Sequence, residues 1–375
     1  MGWRVTSTLS LYFHIPFCRQ KCNYCDFYSI TDIENTDKFI NTLKKEAILR
    51  KTEEEIDTVF FGGGTPSVLN EKQFCEIADF IKQNFNLSSN CEWTIEANPE
   101  SFTRKKARIW LKNGVNRLSI GIQSLNDEEL KICGRIHNGK QAMSVLSNDI
   151  LQEFYSINVD LIYGLPRQNE KSFSQTLKTV LEISDVKHVS LYELTIAENS
   201  VFGKNTYGFP NEETIEKIVE NSRTLLNEND FERYEVSNFA KKNHRCRHNE
   251  NYWNRKKYLG FGPSAHSFDG ENKRFSNIGD LKKYEEELSK NSYPFQFCEE
   301  LSFEQKKLEF LMLKLRTSDG FSLSEFHEKF NLDFFAENKE YIRDLVENGY
   351  MFVENGTCKL TDKGLDIADG IAAKL

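Results

Sequence analysis

Short β-branched and apolar runs alternate with amphipathic stretches through the first half of the chain. The runs fall at residues 10–14, 58–61, 93–96, 117–121, 158–162 and 188–194. Between them, residues 37–50, 71–84, 103–112, 140–151 and 172–183 carry apolar side chains at helical spacing. Strands that recur after each helix predict an α/β fold with a parallel sheet, because parallel neighbours need a crossover and the helix supplies it. Six such units fall short of a closed eight-unit barrel. The pattern is therefore compatible with an open partial barrel or with a doubly wound sheet, and spacing leaves both open.

At 375 residues the chain is too long for one minimal domain. From about residue 301 its character changes to charged helical segments at 304–316, 323–330 and 336–348. A run at 351–354, a turn at Asn355 and Gly356, and a run at 358–360 follow. Helices followed by a hairpin predict a winged-helix-like α+β domain. The expected division is residues 1–230 for the α/β domain, 231–300 for a connecting segment and 301–375 for the C-terminal domain.

The C-terminal segment lacks a basic face and is read as packing on the first domain, not as binding nucleic acid. Charged residues make up 28% of the chain and are interleaved in sign, with a net charge of -8, so no broad basic footprint awaits phosphates. Lys241 to Arg247 is a local exception. The first residues lack a basic region followed by an apolar core, and no run of about 18 apolar residues occurs. A cytoplasmic protein without stable membrane insertion is expected.

Nine cysteines are too few for a disulfide scaffold in a chain of this length, yet Cys18, Cys22 and Cys25 crowd into one loop directly after the first strand. That clustering points to metal ligation. A structural zinc site is closed by four protein ligands, whereas an iron–sulfur cubane on three thiolates keeps one iron open to a small molecule. His14 is the residue that would complete a zinc site instead.

The second strand ends in Phe61-Gly62-Gly63-Gly64-Thr65-Pro66, where consecutive glycines allow backbone conformations and approaches that a side chain forbids. Glu96 closes the third strand, Gln123 follows the fourth, and Asp160 and Ile162 end the fifth. In α/β barrels, functional groups gather at this C-terminal end of the strands. A carboxylate there can bind an ammonium or hydroxyls, a Gln is neutral and bidentate, and Ile162 can pack on a flat ring. Glu96 and Asp160 each also read as strand-end caps. Arg135 is the expected partner for a ligand carboxylate, and Tyr192 on the sixth strand reads as cavity wall or core.

The run LYFHIPFCRQKCNYCDF, with its CxxxCxxC after an early strand, resembles the radical S-adenosylmethionine (SAM) superfamily. The stretches VDLIYGLPRQ, SLYELT, HNENYW, LGFGPSAHSF and LTDKG extend the resemblance over nearly the whole chain, to the coproporphyrinogen III oxidase-like group. It implies a partial (β/α)6 barrel holding a [4Fe–4S] cluster on Cys18, Cys22 and Cys25, with SAM at the open iron. It also implies an electron donor, whose electron splits SAM into methionine and a 5′-deoxyadenosyl radical. Tyr24 matches the aromatic usual between the second and third cysteines. The resemblance carries SAM binding onto Tyr12, Gly63, Gly64, Thr65, Glu96, Gln123, Arg135 and Asp160, with the GGGTP stretch around the methionyl amino group.

Within that group the oxidases carry CxxxCxxCxC and a longer stretch ahead of it. Here Phe27 stands two residues after Cys25, and 17 residues precede Cys18. Both departures resemble the heme-chaperone branch of the group, which implies binding of heme and its transfer to acceptor proteins. The alternative is an oxygen-independent coproporphyrinogen III oxidase. Heme needs an axial donor, and the stretch from His244 to Trp253 offers His244, Cys246 and His248 beside Tyr252 and Trp253. His248 heads HNENYW, which resembles the branch's heme-associated motif, and is the expected ligand, with Arg245 and Arg247 facing propionates. The same residues also read as packing a loop against the barrel, and for His244, Cys246 and His266 that is the expectation.

Overall fold

The computed structural model describes residues 8–183 and 185–375, so the leaderless reading of the first seven residues lies outside it. The α/β part begins with β1 (Leu9–Ile15), α1 (Thr36–Leu49), β2 (Glu55–Gly63), α2 (Glu71–Asn84), β3 (Asn86–Ala97) and α3 (Arg104–Lys112). It continues with β4 (Arg117–Gln123), α4 (Asp127–Ile132), α5 (Gly139–Leu146), β5 (Ser156–Tyr163), α6 (Glu170–Leu181) and β6 (Val186–Glu193). Strands β1 to β6 stand side by side in chain order, each parallel to the next. A doubly wound sheet reverses its order at a switch point. No reversal occurs between β1 and β6, and the arrangement is the partial barrel.

Alternation along β1 explains how one strand serves two interiors. Leu9, Leu11, Phe13 and Ile15 are fully buried and pack in the main apolar core, while Ser10, Tyr12 and His14 face the other way, into the barrel. The covering helices present the matching stripe: α2 buries Phe74, Ile77, Ala78 and Ile81, the spacing of one helical face. Its start is set by Asn70, whose side chain accepts from the Gln73 amide at 2.9 Å while the Gln73 side chain accepts from the Asn70 amide. The expected helix at 140–151 is shorter than its apolar pattern. It ends at Leu146, and after Ser147 the Asn148 side chain accepts from the Ile150 amide and starts a separate 3-10 turn, Asp149–Glu153. Such short polar side chains compete with helical hydrogen bonding.

Next come α7 (Val201–Lys204), α8 (Glu212–Glu228), β7 (Glu232–Arg233), β8 (Asn238–Ala240), α9 (Arg247–Trp253) and β9 (Tyr258–Phe261). Then follow β10 (His266–Phe268), β11 (Lys273–Asn277), α10 (Leu281–Ser289) and β12 (Phe295–Glu300). Residues 231–300, expected as a connector, add strands to the same sheet. β9 lies parallel against the free edge of β1, β10 to β12 extend that side, and β8 pairs with β6 at the other. Phe261, Tyr284 and Leu288 join the same main apolar core as Leu9, Leu11, Phe13 and Ile15.

The C-terminal domain comprises α11 (Phe303–Leu315), β13 (Phe321–Ser322), α12 (Leu323–Phe330), α13 (Phe334–Glu347), β14 (Met351–Glu354) and β15 (Thr357–Leu360). Two short helices, α14 (Asp362–Leu365) and α15 (Ala368–Ala372), close it. Its antiparallel sheet has the order β13-β15-β14, and a separate core is built on Phe310, Phe321, Phe326, Phe330 and Phe334. Each fully buried ring of this kind stabilises by roughly 1.5–3 kcal/mol. The domain meets α9 through Arg316, whose guanidinium lies 5.0 Å from the centre of the Trp253 ring, and through Lys314, which donates to Asn254 at 2.8 Å. No helix among the described residues is long and apolar enough to cross a membrane.

Candidate cluster and S-adenosylmethionine site

The cysteine loop is closed at its root. Cys18 N donates to Ile30 O at 2.9 Å and Ile30 N donates to Pro16 O at 2.8 Å, so the chain leaves and returns at one point beside the end of β1. Its far side is strapped to the turn after α4: Asn23 N donates to Cys133 O at 2.9 Å, Asn23 Nδ2 to Ile132 O at 2.7 Å, and Gln20 Nε2 to Gly134 O at 2.7 Å. From above, Phe202 N donates to Asn23 O, and Phe202 packs with Ile162, Leu165 and Cys133. Ile162 therefore sits in a small apolar cluster beside this loop.

None of the three thiols is in a disulfide, and the charges of Cys18, Cys22 and Cys25 act on one another. Burial pushes the Cys18 and Cys25 thiols up. Cys18 is anchored and buried, whereas Cys22 and Cys25 lie on a half-exposed turn. Among the described residues no three His, Cys, Asp or Glu side chains are drawn together at metal-ligand spacing, so the remaining approach belongs to that turn.

The glycine run lies directly on the root of this loop. Gly64 N donates to Ile15 O and Thr65 N to Phe17 O, both at 2.8 Å. Gly63 has φ +106°, and a Cβ there would stand 2.6 Å from the His14 ring; one on Gly64 would stand 2.8 Å from the Phe17 carbonyl oxygen. Only glycine fits at these two positions, which leaves Gly63 and Gly64 as bare backbone at the mouth, followed directly by Thr65. Thr65 Oγ1 is 3.4 Å from Cys18 Sγ.

Adjacent strands place Glu96 beside Ser119 and Gly121 beside Asp160. Burial first, and the nearby Asp160 second, push the Glu96 carboxyl up to about 8. Tyr12 lies next to it, and a Cβ on Gly62 would touch both side chains at 3.0–3.1 Å. Asp160 is bound on both oxygens, by Ser119 Oγ at 2.9 Å and Asn158 Nδ2 at 2.8 Å, so it joins the polar lining through those neighbours. Gln123 has φ +66° at an irregularity in β4, and its Oε1 is buried without a partner among the described residues. Tyr192 is 42% exposed while its phenol feels Asp160 and Glu96, the position of a cavity wall.

Arg135 enters from the turn after α4. Its two terminal nitrogens donate to Gly121 O at 2.7 Å, Asn98 Oδ1 at 2.8 Å and Cys22 Sγ at 3.5 Å, with Tyr24 OH also at 3.5 Å. All these partners are uncharged or thiol; the Glu100 carboxylate acts on the cation without a hydrogen bond, and among the described residues no carboxylate is bonded to it. Asn98, which sequence reasoning missed, joins Arg135 to Thr65; its one signal was a polar residue directly after the third strand. The donor set fits an iron–sulfur cluster with a small zwitterion beside it: three free thiols, a bare glycine cradle, a buried amide oxygen and a guanidinium with no hydrogen-bonded carboxylate among the described residues.

HNENYW lies at the other end of the barrel. His248 is 1% exposed, with Nδ1 2.6 Å from Thr58 Oγ1 and Nε2 2.8 Å from Tyr252 OH, stacked on Phe60 at 4.9 Å. Asn251 Nδ2 donates to Ser10 Oγ at 2.8 Å, and the Glu92 carboxylate accepts from the Arg247 and His248 amides at 3.1 and 3.0 Å. Helix α9 is thus the floor of the barrel, and His248 has no free ring nitrogen for heme in this arrangement. Nor are the expected propionate partners free: Arg247 pairs with Asp57, and Arg245 donates to Asp319 at 2.6 Å. Cys246 is fully buried, its thiol pushed up to about 12 by burial. His244 stacks on Tyr155 at 4.8 Å, while His266 is exposed on β10.

Residues 12–180 match the family model of the radical SAM superfamily, and residues 301–367 match the HemN C-terminal domain. The chain is 33% identical to the heme chaperone HemW of Bacillus subtilis, over 95% of this chain and 96% of that protein. It is 32% identical to HemW of Haemophilus influenzae, over 95% and 94%, and 32% identical to the mouse mitochondrial radical S-adenosyl methionine domain-containing protein 1, over 98% and 87%. The fold agrees with coproporphyrinogen III oxidase HemN from Escherichia coli at a TM-score of 0.86 and 23% identity, covering 98% of this chain and 89% of that one. The barrel and the C-terminal domain both find counterparts in these relatives, and the chain belongs to the radical SAM superfamily, in the coproporphyrinogen III oxidase-like group that includes the HemW heme chaperones.

Proposed function

We propose that this chain is a heme chaperone that holds a [4Fe–4S] cluster on Cys18, Cys22 and Cys25 with SAM at the open iron, takes up heme and passes it to acceptor proteins. The observation that carries this reading is the agreement with HemW along essentially the whole of both chains. Phe27 supports it: where the oxidases have a further cysteine, this side chain is 71% exposed at the edge of the cluster loop, an apolar surface and not a ligand.

In this reading Gly63, Gly64 and Thr65 bound the amino-acid end of SAM and Arg135 meets its carboxylate. Gln123 Oε1 and Glu96 accept from its amino or hydroxyl groups, and Tyr12 and Asp160 shape the wall behind them. Held by Cys18, Cys22 and Cys25, the cluster would supply one-electron reduction of SAM, the electron coming from an external donor. A cytoplasmic location goes with this function. Heme ligation by His248 requires a ring nitrogen to be released, either by Thr58 on β2 or by Tyr252, one turn further along α9.

The test is a heme titration of anaerobically reconstituted protein and of His248→Ala, alongside a coproporphyrinogen III turnover assay on the same samples. Stoichiometric heme uptake without decarboxylation is the expected result. Unchanged uptake by His248→Ala removes that residue as ligand. Anaerobic conversion of coproporphyrinogen with SAM consumed replaces the chaperone by the oxidase.

A further inference from the structure

We propose that Asn98 is a positioning residue that joins hydrogen-bond donors at Cys18 and Cys22 into one belt and so sets the reduction potential of the cluster those cysteines hold. The proposal rests on the cluster reading above.

Asn98 is fixed from its backbone outward. Its amide donates to Ser67 Oγ at 3.2 Å, and its carbonyl accepts from the Ser101 and Phe102 amides, both at 3.0 Å. The side chain then points one way only. Nδ2 donates to Thr65 Oγ1 at 3.1 Å, and Oδ1 accepts from Arg135 at 2.8 Å. Thr65 Oγ1 lies 3.4 Å from Cys18 Sγ, and a cluster-bound Cys18 has no proton to give, so the Thr65 hydroxyl is the donor between them. With one terminal nitrogen of Arg135 held by Asn98 and Gly121 O, the other is aimed at Cys22 Sγ at 3.5 Å.

An amide is the side chain this junction needs, since one end donates and the other accepts. Aspartate would keep the acceptor for Arg135, lose the donor to Thr65, and add a negative charge beside the cluster. Gly121 leaves the room: a Cβ there would stand 2.8 Å from Asn98 Oδ1 and 2.9 Å from Gln123 Nε2. Donors and a cation next to cluster sulfurs stabilise the more negative, reduced state, which raises the potential. The partly buried setting strengthens both contributions.

The experiment compares anaerobically reconstituted parent, Asn98→Ala, Asn98→Asp and Thr65→Val by dithionite titration with redox mediators, reading the reduced cluster by electron paramagnetic resonance. Iron and sulfide content and thermal unfolding are measured on the same samples. At a fixed potential the reduced-to-oxidised ratio is expected to fall about tenfold in Asn98→Ala, a shift of about 59 mV to more negative values for one electron. Asn98→Asp should shift at least as far, and Thr65→Val in the same direction by less. Lower thermal stability with an unmoved potential would mean a structural role only and overturns the proposal. If Asn98→Ala fails to hold iron, Thr65→Val decides, because it removes one donor and leaves Asn98 in place. A parent protein that binds no cluster sinks the functional reading itself, whereas a loaded parent with unshifted variants sinks only this one.

Discussion

Thr58 Oγ1 and His248 Nδ1 lie 2.6 Å apart at the floor of the barrel, with the Tyr252 hydroxyl 2.8 Å from the opposite ring nitrogen. Replacing His248 by Ala empties the space beside Phe60 and leaves the buried Thr58 hydroxyl and the partly buried Tyr252 hydroxyl without their partner. The combined cost is about 3–5 kcal/mol. Urea unfolding should show this loss, with His248→Gln losing less because its amide retains hydrogen-bonding groups. An alanine variant as stable as the parent would contradict the floor role.

The buried imidazoles also make the fold acid-sensitive. Burial, with Arg117 adding to it, pushes His248 down to about 3; burial likewise takes His14 down to about 4. An unfolded chain binds these protons near about 6.5. Between that value and the folded ones, the unfolded state carries more protons, so stability is present above about 6.5 and is lost as pH falls. Each group contributes up to about 1.4 kcal/mol per pH unit in its window. Denaturation midpoints should drop between about pH 7 and about pH 5, less steeply in His248→Gln. Equal slopes in the two proteins would rule out His248 as a source.

Glu96 works in the opposite sense. With its carboxyl raised to about 8, chiefly by burial, the folded protein keeps a proton that the unfolded chain releases near about 4.3. The stability this lends is complete below about 4.3 and disappears as pH rises through about 8. Glu96→Gln should therefore flatten the alkaline fall and raise the midpoint more at about pH 8 than at about pH 5, while calorimetry shows weaker SAM binding. A variant with the parent's pH profile would mean that Glu96 is ionised when buried.

Two glycines with nearly the same backbone separate strain from collision. Gly63 and Gly114 have φ +106° and +103°, yet a Cβ on Gly63 would stand 2.6 Å from the His14 ring, and one on Gly114 no closer than 3.5 Å to Trp93. Gly114→Ala should cost about 1–3 kcal/mol from backbone strain alone. Gly63→Ala should cost more in the same unfolding assay and should also weaken SAM binding. Equal costs would show that His14 moves aside freely.

The helix at 71–84 was readable to the residue because Asn70 and Gln73 cap it locally and its apolar stripe is regular. The run at 140–151 was not, since its apolar period continues past the point where Asn148 starts a new turn. In the site, the three thiols and the glycine run announced themselves by spacing. Asn98 did not, because one asparagine after a strand carries no pattern until Thr65 and Arg135 are brought to its two ends. His248 was legible as part of a motif but not as a floor residue, for its partner Thr58 stands 190 positions away in the chain.

By itself the sequence determined six strand–helix units and a loop of three thiols beside a glycine turn, because period and ligand spacing are properties of neighbouring residues. The order of the strands belonged to the tertiary structure, and with it the choice of an open barrel over a doubly wound sheet. So did the assignment of residues 231–300 to that sheet and of α9 to its closed end. These depend on hydrogen bonds and packing between segments far apart in the chain, whose pairing no local pattern encodes.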